Sequence, residues 1–241
     1  MDRMSEWIDI ALEEGIRFFV TSLGKPDWVC KRVHETDGFV YHDVTNRLWA
    51  QKGQDNGVDG LICVNNRAGG HLGDYSMENM YNDIADLGLP MICAGGIGSK
   101  VELKKAINLG YQGVQMGTRF IATNECNTSE DYKAAIIQAS EEDIVMTKKM
   151  TGVPISVIKS KYYNEENPWF VKKLLQGRFK HTMRMLLNLN SFIRLKYLSK
   201  SKFKNKDKKK QYYSAGKSVN TVKNIKSATD IMRTLGTSLI N

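Results

Sequence analysis

The residue in this sequence best suited to acid–base chemistry is His71, which ends a run of small residues. Ala68, Gly69 and Gly70 precede it, and the run follows an apolar segment that ends at Val64. Two adjacent glycines allow a flat cofactor to approach the backbone closely. A neutral imidazole, with a pKa of about 6.5, can take a proton from an acidic carbon at physiological pH. His71 is therefore the predicted catalytic base.

Two further glycine-rich segments could bind an anion. Gly95 and Gly96 follow an apolar run and precede a helical pattern that begins near Ser99. About twenty residues later, Gly117 and Thr118 repeat this arrangement, and Thr118 adds a hydroxyl donor. Backbone N–H groups in such loops bind phosphate, and barrel enzymes place a phosphate site after their last two strands. The pair of loops therefore predicts a phosphate site.

The other candidate residues keep more than one interpretation. Alternation along a strand directs either His42 or Asp43 towards the centre of the fold, and core packing is equally compatible with both. Arg119 could contact phosphate or could brace a neighbouring loop. His34 and His181 lie in patterns typical of surface positions. The histidines and cysteines lack metal-ligand spacing, so we predict no metal.

A repeating strand and helix pattern positions these loops. Apolar runs at residues 17–21, 39–43, 60–64, 90–94 and 113–116 predict five strands, with amphipathic helical patterns between them. A glycine precedes each strand, where we expect a left-handed helix cap: Gly15, Gly38, Gly57, Gly88 and Gly110. The polar and glycine-rich loops follow the strands, at the end where parallel α/β folds build their active sites.

The fold class predicted is α/β, a TIM (β/α)8-type barrel of which strands 4 to 8 are present. Five units occupy only half of the 241 residues, whereas a whole barrel takes about 250. We expect residues 1–160 to form the C-terminal portion of the barrel. Residues 161–241 are expected to form a helical, Lys/Arg-rich extension with a flexible loop near residues 199–211.

Composition restricts the class of protein. Hydrophobic residues make up 41% of the chain and charged residues 25%, which is ordinary for a soluble globular protein. The chain lacks an apolar run of membrane-spanning length and begins with an acidic amphipathic stretch, so we expect a cytoplasmic protein without membrane contact. The net charge of +9 is concentrated late in the chain, and we interpret the six lysines within residues 201–210 as a solvated loop rather than a nucleic-acid site. The four cysteines are expected to be free thiols, mostly buried.

The three loops together resemble the nitronate monooxygenases, formerly called 2-nitropropane dioxygenases. The similarity covers residues 8–158 and extends weakly to residues 213–217. It implies a TIM barrel that holds FMN without a covalent bond, and it makes His71 the counterpart of the family's base. The resemblance and the loops give the predicted cofactor-binding residues, which are Gly69, Gly70, Gly95, Gly96, Gln115, Met116, Gly117 and Thr118. Val64 stands where many members have a glutamine that contacts the flavin, leaving Asn65 or Asn66 as amide candidates, and Lys217 also stands where glutamine is common.

The activity that the resemblance implies is oxidation of alkyl nitronates with O2 to a carbonyl compound and nitrite, with nitroalkanes as further substrates. A flavin-dependent enoyl-acyl-carrier-protein reductase, which takes hydride from NAD(P)H, shares the same loops and is the sibling alternative. A third possibility is a non-catalytic fragment that needs its N-terminal half. Because five strands leave two free edges, we expect a separate N-terminal fragment or a homo-oligomer as partner.

Overall fold

The computed structural model describes residues 3–148, 154–159 and 213–237. Its main sheet has five parallel strands in sequence order, each hydrogen-bonded to the next: β1 (Phe18–Thr21), β2 (Phe39–Val44), β3 (Gly60–Val64), β4 (Met91–Ala94) and β5 (Gly113–Gln115). All five predicted strands are confirmed to within a residue or two at their ends. Sequence-order parallel strands joined by helices are the arrangement of a TIM barrel, here open between β1 and β5.

The helices of the described chain follow the strands as the barrel pattern requires. They are α1 (Arg3–Glu13), α2 (Asp27–His34), α3 (Arg47–Asp55), α4 (Met77–Ile84), α5 (Lys100–Leu109), α6 (Thr118–Ile121), α7 (Glu130–Gln138) and α8 (Ala228–Gly236). Three 3-10 segments are Ala85–Leu87, Glu141–Asp143 and Lys217–Asn220. Side chains of Asn46, Ser76 and Ser99 accept hydrogen bonds from first-turn N–H groups, which explains where α3, α4 and α5 begin.

The turns before the strands are left-handed at four of the five predicted glycines. Gly15, Gly57, Gly88 and Gly110 have φ of 84°, 85°, 72° and 112°. The prediction was wrong for Gly38, because Asp37 takes the positive φ, at 55°. Gly38 is needed for space instead, since a Cβ there would lie 2.5 Å from Cγ1 of Val33 and 2.9 Å from the carbonyl oxygen of Arg17.

The main core lies between the sheet and its helices. Alternate residues of the strands face the helices, such as Val40 and Val44 on β2 and Leu61 and Cys63 on β3, each at most 1% exposed. The free-thiol prediction is confirmed for all four cysteines, of which Cys126 is partly exposed. Burial raises the pKa of Cys63 and of Cys93 to about 12, so both thiols are protonated and unreactive at neutral pH.

The opposite face of the sheet is open at its β1 side. Phe18, Val20 and Phe39 share this face and are 50%, 50% and 56% exposed. On α1, Trp7 and Ile10 are also exposed, beside the same strand. Apolar side chains therefore flank the free edge of β1 on both sides, which is typical of an edge that a further strand and helix would cover.

A smaller unit closes the other end of the sheet. Strands β6 (Ile144–Thr147) and β7 (Ile155–Ile158) pair antiparallel, and a second core forms where β7 meets residues 215–222 and α7. Helix α8 inserts Ile231 and Leu235 into the main core. Residues 213–237 thus pack on the barrel, whereas the predicted basic helical region and the loop near residues 199–211 lie outside the described residues.

Candidate active site

A pocket of about 280 Å³ lies at the carboxyl ends of the strands, where all three glycine loops meet. Seven of the predicted site residues besides His71 line it: Gly69, Gly95, Gly96, Gln115, Met116, Gly117 and Thr118. Gly70 does not line it, because its carbonyl accepts a hydrogen bond from the N–H of Ser156 on β7 at 2.8 Å. Asp43, Arg67, Tyr132, Ser214, Gly216 and Ser218 complete the polar lining. Ligand sites typically measure about 300–1,000 Å³, so this pocket is close to the lower end of that range.

Asn65 connects the loop of residues 65–71, the His71 loop, to the loop that contains Gly95 and Gly96, the first phosphate-type loop. Its side chain is fully buried, its Nδ2 donates to the carbonyl of Gly95 at 2.9 Å, and its Oδ1 accepts from the N–H of Arg67 at 2.8 Å. The amide is therefore occupied by loop contacts. Neither Asn65 nor Asn66, the two amide candidates, lines the pocket, and Asn66 is exposed to solvent.

The loop at Gly95 and Gly96 requires glycine for both conformation and space. Their φ values are 116° and 78°, and a Cβ on Gly95 would lie 2.5 Å from Oδ1 of Asn65. Ser99 and Glu102 form a capping box at the start of α5, so the first-turn N–H groups of that helix are already partly satisfied. Anion binding here would consequently depend on the glycine backbone more than on the helix terminus.

The second phosphate-type loop is open to the pocket at Gly117. Apart from its chain neighbours, no described residue has an atom within 4 Å of a Cβ built on Gly117. Thr118 is buried, and its Oγ1 accepts a hydrogen bond from the N–H of Gly216 at 3.0 Å, which leaves its own proton available to a ligand. Arg119 is turned away, because its Nη2 donates to the carbonyls of Ala122 and Asn224 at 2.7 and 2.6 Å. Of its two open interpretations, Arg119 is thus a brace between loops.

Residues 214–218 form a wall of the pocket across from the strands. A Cβ on Gly69 would lie 2.7 Å from the backbone N of Gly216, so the two backbones are in close contact. The N–H of Lys217 donates to the carbonyl of Arg67 at 2.9 Å, and the hydroxyl of Tyr132 donates to the carbonyl of Ser214. These bonds attach a segment that is remote in sequence to the loop that contains His71 and to α7.

A three-residue ion cluster fastens the outer side of this wall. The guanidinium of Arg67 donates two hydrogen bonds of 2.7 Å to Glu141, and Nζ of Lys217 lies 3.2 Å from Oε1 of the same carboxylate. The hydrogen bond from Arg67 is the main reason why the pKa of Glu141 lies below its usual value. The sequence did not single out Arg67 or Glu141, because the two residues lie 74 positions apart.

The charge of Glu141 should stabilise the fold in a pH-dependent way. Because its pKa is lower in the folded chain, its contribution is present above the unfolded-state value of about 4.3 and disappears as the pH falls through the folded-state value. At pH 7, Glu141→Gln is therefore expected to lower the free energy of unfolding by about 1 kcal/mol, so that the variant unfolds at a lower denaturant concentration. Denaturant titrations should show that this difference closes as the pH falls through the lowered folded-state pKa of Glu141. Glu142→Gln, on an exposed neighbour, is the control, and an equal loss in both variants would contradict the cluster's role.

His71 projects at the mouth of the pocket. Its side chain is exposed, and no described residue is within hydrogen-bonding distance of its ring. The strand register resolves the alternative between His42 and Asp43. His42 faces the helices, with Nδ1 2.8 Å from Oγ1 of Thr21, whereas Asp43 lines the pocket. Burial raises the pKa of Asp43 above its ordinary value and lowers that of His42.

The sequence profile of nitronate monooxygenases matches residues 2–237, nearly the whole chain. The chain belongs to the nitronate monooxygenase family. A probable nitronate monooxygenase of Staphylococcus saprophyticus is 29% identical over 175 residues, which cover 67% of this chain and 49% of that protein. The chain thus spans about half the length of the curated relatives it matches.

Two solved structures have a fold similar to that of this chain. FabK from Thermotoga maritima superposes with a TM-score of 0.78 at 23% identity, covering all of this chain and 73% of that one. A nitroalkane oxidase from Streptomyces ansochromogenes gives 0.76 at 16% identity, with coverage of 98% and 68%. At these identities the comparison establishes a shared barrel-type fold. Within the described residues, no helix has the length and apolar character needed to cross a bilayer.

Proposed function

We propose that this chain carries the active site of an FMN-dependent oxidoreductase that oxidises alkyl nitronates with O2 to a carbonyl compound and nitrite. The observation that carries the proposal is the convergence of His71 and both phosphate-type loops on one pocket. Membership of the nitronate monooxygenase family supports the choice of reaction. Because the chain spans about half of its curated relatives, the activity is proposed for the complete protein.

The pocket is chemically suited to FMN. Gly95, Gly96, Gly117 and Thr118 would hold the phosphate with backbone N–H groups and one hydroxyl. Gly69, Gln115 and Met116 line the same space, and the lack of a side chain at Gly69 lets residues 214–216 close over it. When bound, the flavin supplies the redox chemistry, and the protein supplies orientation and proton transfer.

His71 is proposed to act as the base that accepts a proton from the substrate. With a neutral nitroalkane, one nitrogen of its imidazole accepts the proton from the carbon beside the nitro group, which gives the nitronate in place. With a nitronate supplied as such, no carbon-bound proton has to leave, and His71 only orients the anion. Its position at the open mouth gives it access both to an entering substrate and to solvent, to which it returns the proton.

The first experiment measures flavin binding and reduction. The complete protein is expected to bind FMN, and propionate 3-nitronate is expected to bleach the bound flavin under anaerobic conditions, with no response to NAD(P)H. Bleaching by NAD(P)H alone would instead favour the alternative activity, that of a flavin-dependent enoyl-acyl-carrier-protein reductase. A complete protein that binds FMN and responds to neither reductant would contradict both activities.

The open face of the sheet carries a second part of the proposal. We propose that further strand and helix units of the complete protein cover the exposed Phe18, Val20 and Phe39 in the active enzyme. Pairing along the free edge of β1 would continue the parallel sheet and shield the pocket from water. Co-expression with the N-terminal half of the Staphylococcus saprophyticus relative is expected to give a co-purifying complex and tighter FMN binding. A stable homodimer of the chain alone that buries this face, seen by light scattering and cross-linking, would contradict it.

A further inference from the structure

Asp43 is a polar group of the pocket that neither the fold nor the proposed function has yet used. It sits on β2, on the sheet face opposite the main core, and lines the same pocket as His71. Its Oδ1 is buried and has no hydrogen-bond partner in the described part of the chain. Ser22, just beyond β1, provides a side-chain hydrogen bond to the carboxyl group.

An unpartnered, buried carboxyl oxygen is unusual in a native fold and calls for an explanation. Such an atom is costly because it has lost water without gaining a partner. Because Asp43 lines the pocket, a ligand bound there could approach its carboxyl group and provide the missing partner. The strand position fixes the carboxyl on a rigid element, as a ligand-contacting group requires.

Among the described residues, the charged and titratable groups around Asp43 do not supply it with a cationic partner. Arg67 and Tyr132 line the same pocket, but both terminal nitrogens of Arg67 donate hydrogen bonds to Glu141. His71 also lines the pocket, and His42, the next residue along β2, points to the helix side with its Nδ1 near Thr21. Two anions, a carboxylate and a nitronate, would repel each other in this space.

We infer that Asp43 contacts the substrate, and that in its protonated form it donates a hydrogen bond from Oδ1 to an oxygen of the bound nitronate. The inference rests on the proposed function for the identity of the substrate. A neutral carboxylic acid both fills the vacant hydrogen bond and removes the repulsion, whereas an ionised one does neither. Asp43 and His71 then divide the work, since Asp43 binds the oxygen end of the substrate and His71 the carbon-bound proton.

The pH dependence follows from the sign of the shift. Burial raises the pKa of Asp43, so the neutral form persists to higher pH than for an exposed aspartate. Oxyanion affinity should therefore be greatest at low pH and should fall as Asp43 ionises. Asp43→Asn keeps a neutral donor at this place and should remove the part of that fall that comes from Asp43, whereas Asp43→Leu removes the donor altogether.

The test is calorimetric titration of the full chain, with and without FMN, using nitrate as a planar oxyanion probe between pH 5 and 8. Wild type is expected to bind nitrate more weakly as pH rises, Asp43→Asn to show a smaller dependence on pH, and Asp43→Leu to bind at least tenfold more weakly than wild type at pH 5. Asp55→Asn, an exposed aspartate at the end of α3, is the control and should behave like wild type.

Two results would overturn the inference: no nitrate binding by wild type, or the same pH dependence in wild type and Asp43→Asn. If Asp43→Leu does not fold, the comparison of wild type with Asp43→Asn still decides. Nitrate binding does not require turnover. Asp43-dependent binding without flavin reduction by a nitronate would sink the proposed function alone, and nitronate oxidation unchanged in Asp43→Asn and Asp43→Leu would sink the role of Asp43 alone.

Discussion

Replacing His71 with asparagine is expected to lower kcat/KM for a neutral nitroalkane by about 10²–10⁴-fold, the usual contribution of a general base. The corresponding loss with a preformed nitronate should be far smaller, because that substrate has no carbon-bound proton to give up. Steady-state kinetics with 1-nitropropane and with its nitronate, in the complete enzyme, measure both effects. The free energy of unfolding should change by no more than about 0.5 kcal/mol, since His71 is exposed and has no partner among the described residues.

His34→Asn is the matched control for this experiment. His34 is also exposed and lies on α2, where its Nε2 is 2.9 Å from Oδ2 of Asp59, away from the pocket. Its replacement should leave both activities unchanged. Equal losses with the nitroalkane and the nitronate in His71→Asn would show that His71 positions the substrate or the flavin and does not remove a proton.

Gly95→Ala is expected to destabilise the chain by about 2–4 kcal/mol and to abolish FMN binding. The φ of 116° is strained for alanine, and the new Cβ would lie 2.5 Å from Oδ1 of Asn65 and 2.6 Å from the backbone N of Ala68. Both neighbours belong to the His71 loop, so relief of the overlap would displace that loop. Denaturant titration and flavin fluorescence quenching measure the two losses.

Two other glycines separate the causes of this effect. Gly15 has a positive φ of 84°, but a Cβ there would have no described neighbour within 4 Å. Gly15→Ala should therefore lower the free energy of unfolding by only about 1 kcal/mol, from the backbone conformation alone. Gly117 has a φ of −100°, which alanine adopts without strain, and a Cβ there would have no close neighbour among the described residues. Gly117→Ala should therefore fold like wild type, while its methyl group weakens FMN binding. A stable Gly95→Ala that binds FMN normally would refute the tight contact between the two loops.

The sequence predicted the sheet well because the signals for it are local. A short apolar run, a preceding glycine and a following polar loop recur in each unit, and they predicted all five strands and the end of the sheet that holds the site. The exception at Gly38 has a physical explanation: an aspartate also tolerates a positive φ, so the glycine was free to serve a packing contact between α2 and Arg17.

The site was predictable only as far as it is built from single loops. Gly95, Gly117 and His71 are recognisable from their immediate neighbours, whereas Arg67 is defined by Glu141, far along the chain. The choice between His42 and Asp43 needed the direction of one strand, which alternation alone leaves ambiguous by one residue. The occupation of the Asn65 amide by Gly95 and Arg67 likewise depends on how two loops meet in space.

The hydrogen bond between Gly216 and Thr118 joins residues 98 positions apart, and this separation sets the order in which the site forms during synthesis. At about 5–20 residues per second, the ribosome needs roughly 5–20 s to pass from one to the other. During that interval the five strands can already pair, while the pocket still lacks the wall formed by residues 214–218. Cofactor capture is therefore timed by the late segment, and a nascent chain stalled after β7 would hold a folded sheet with no closed site.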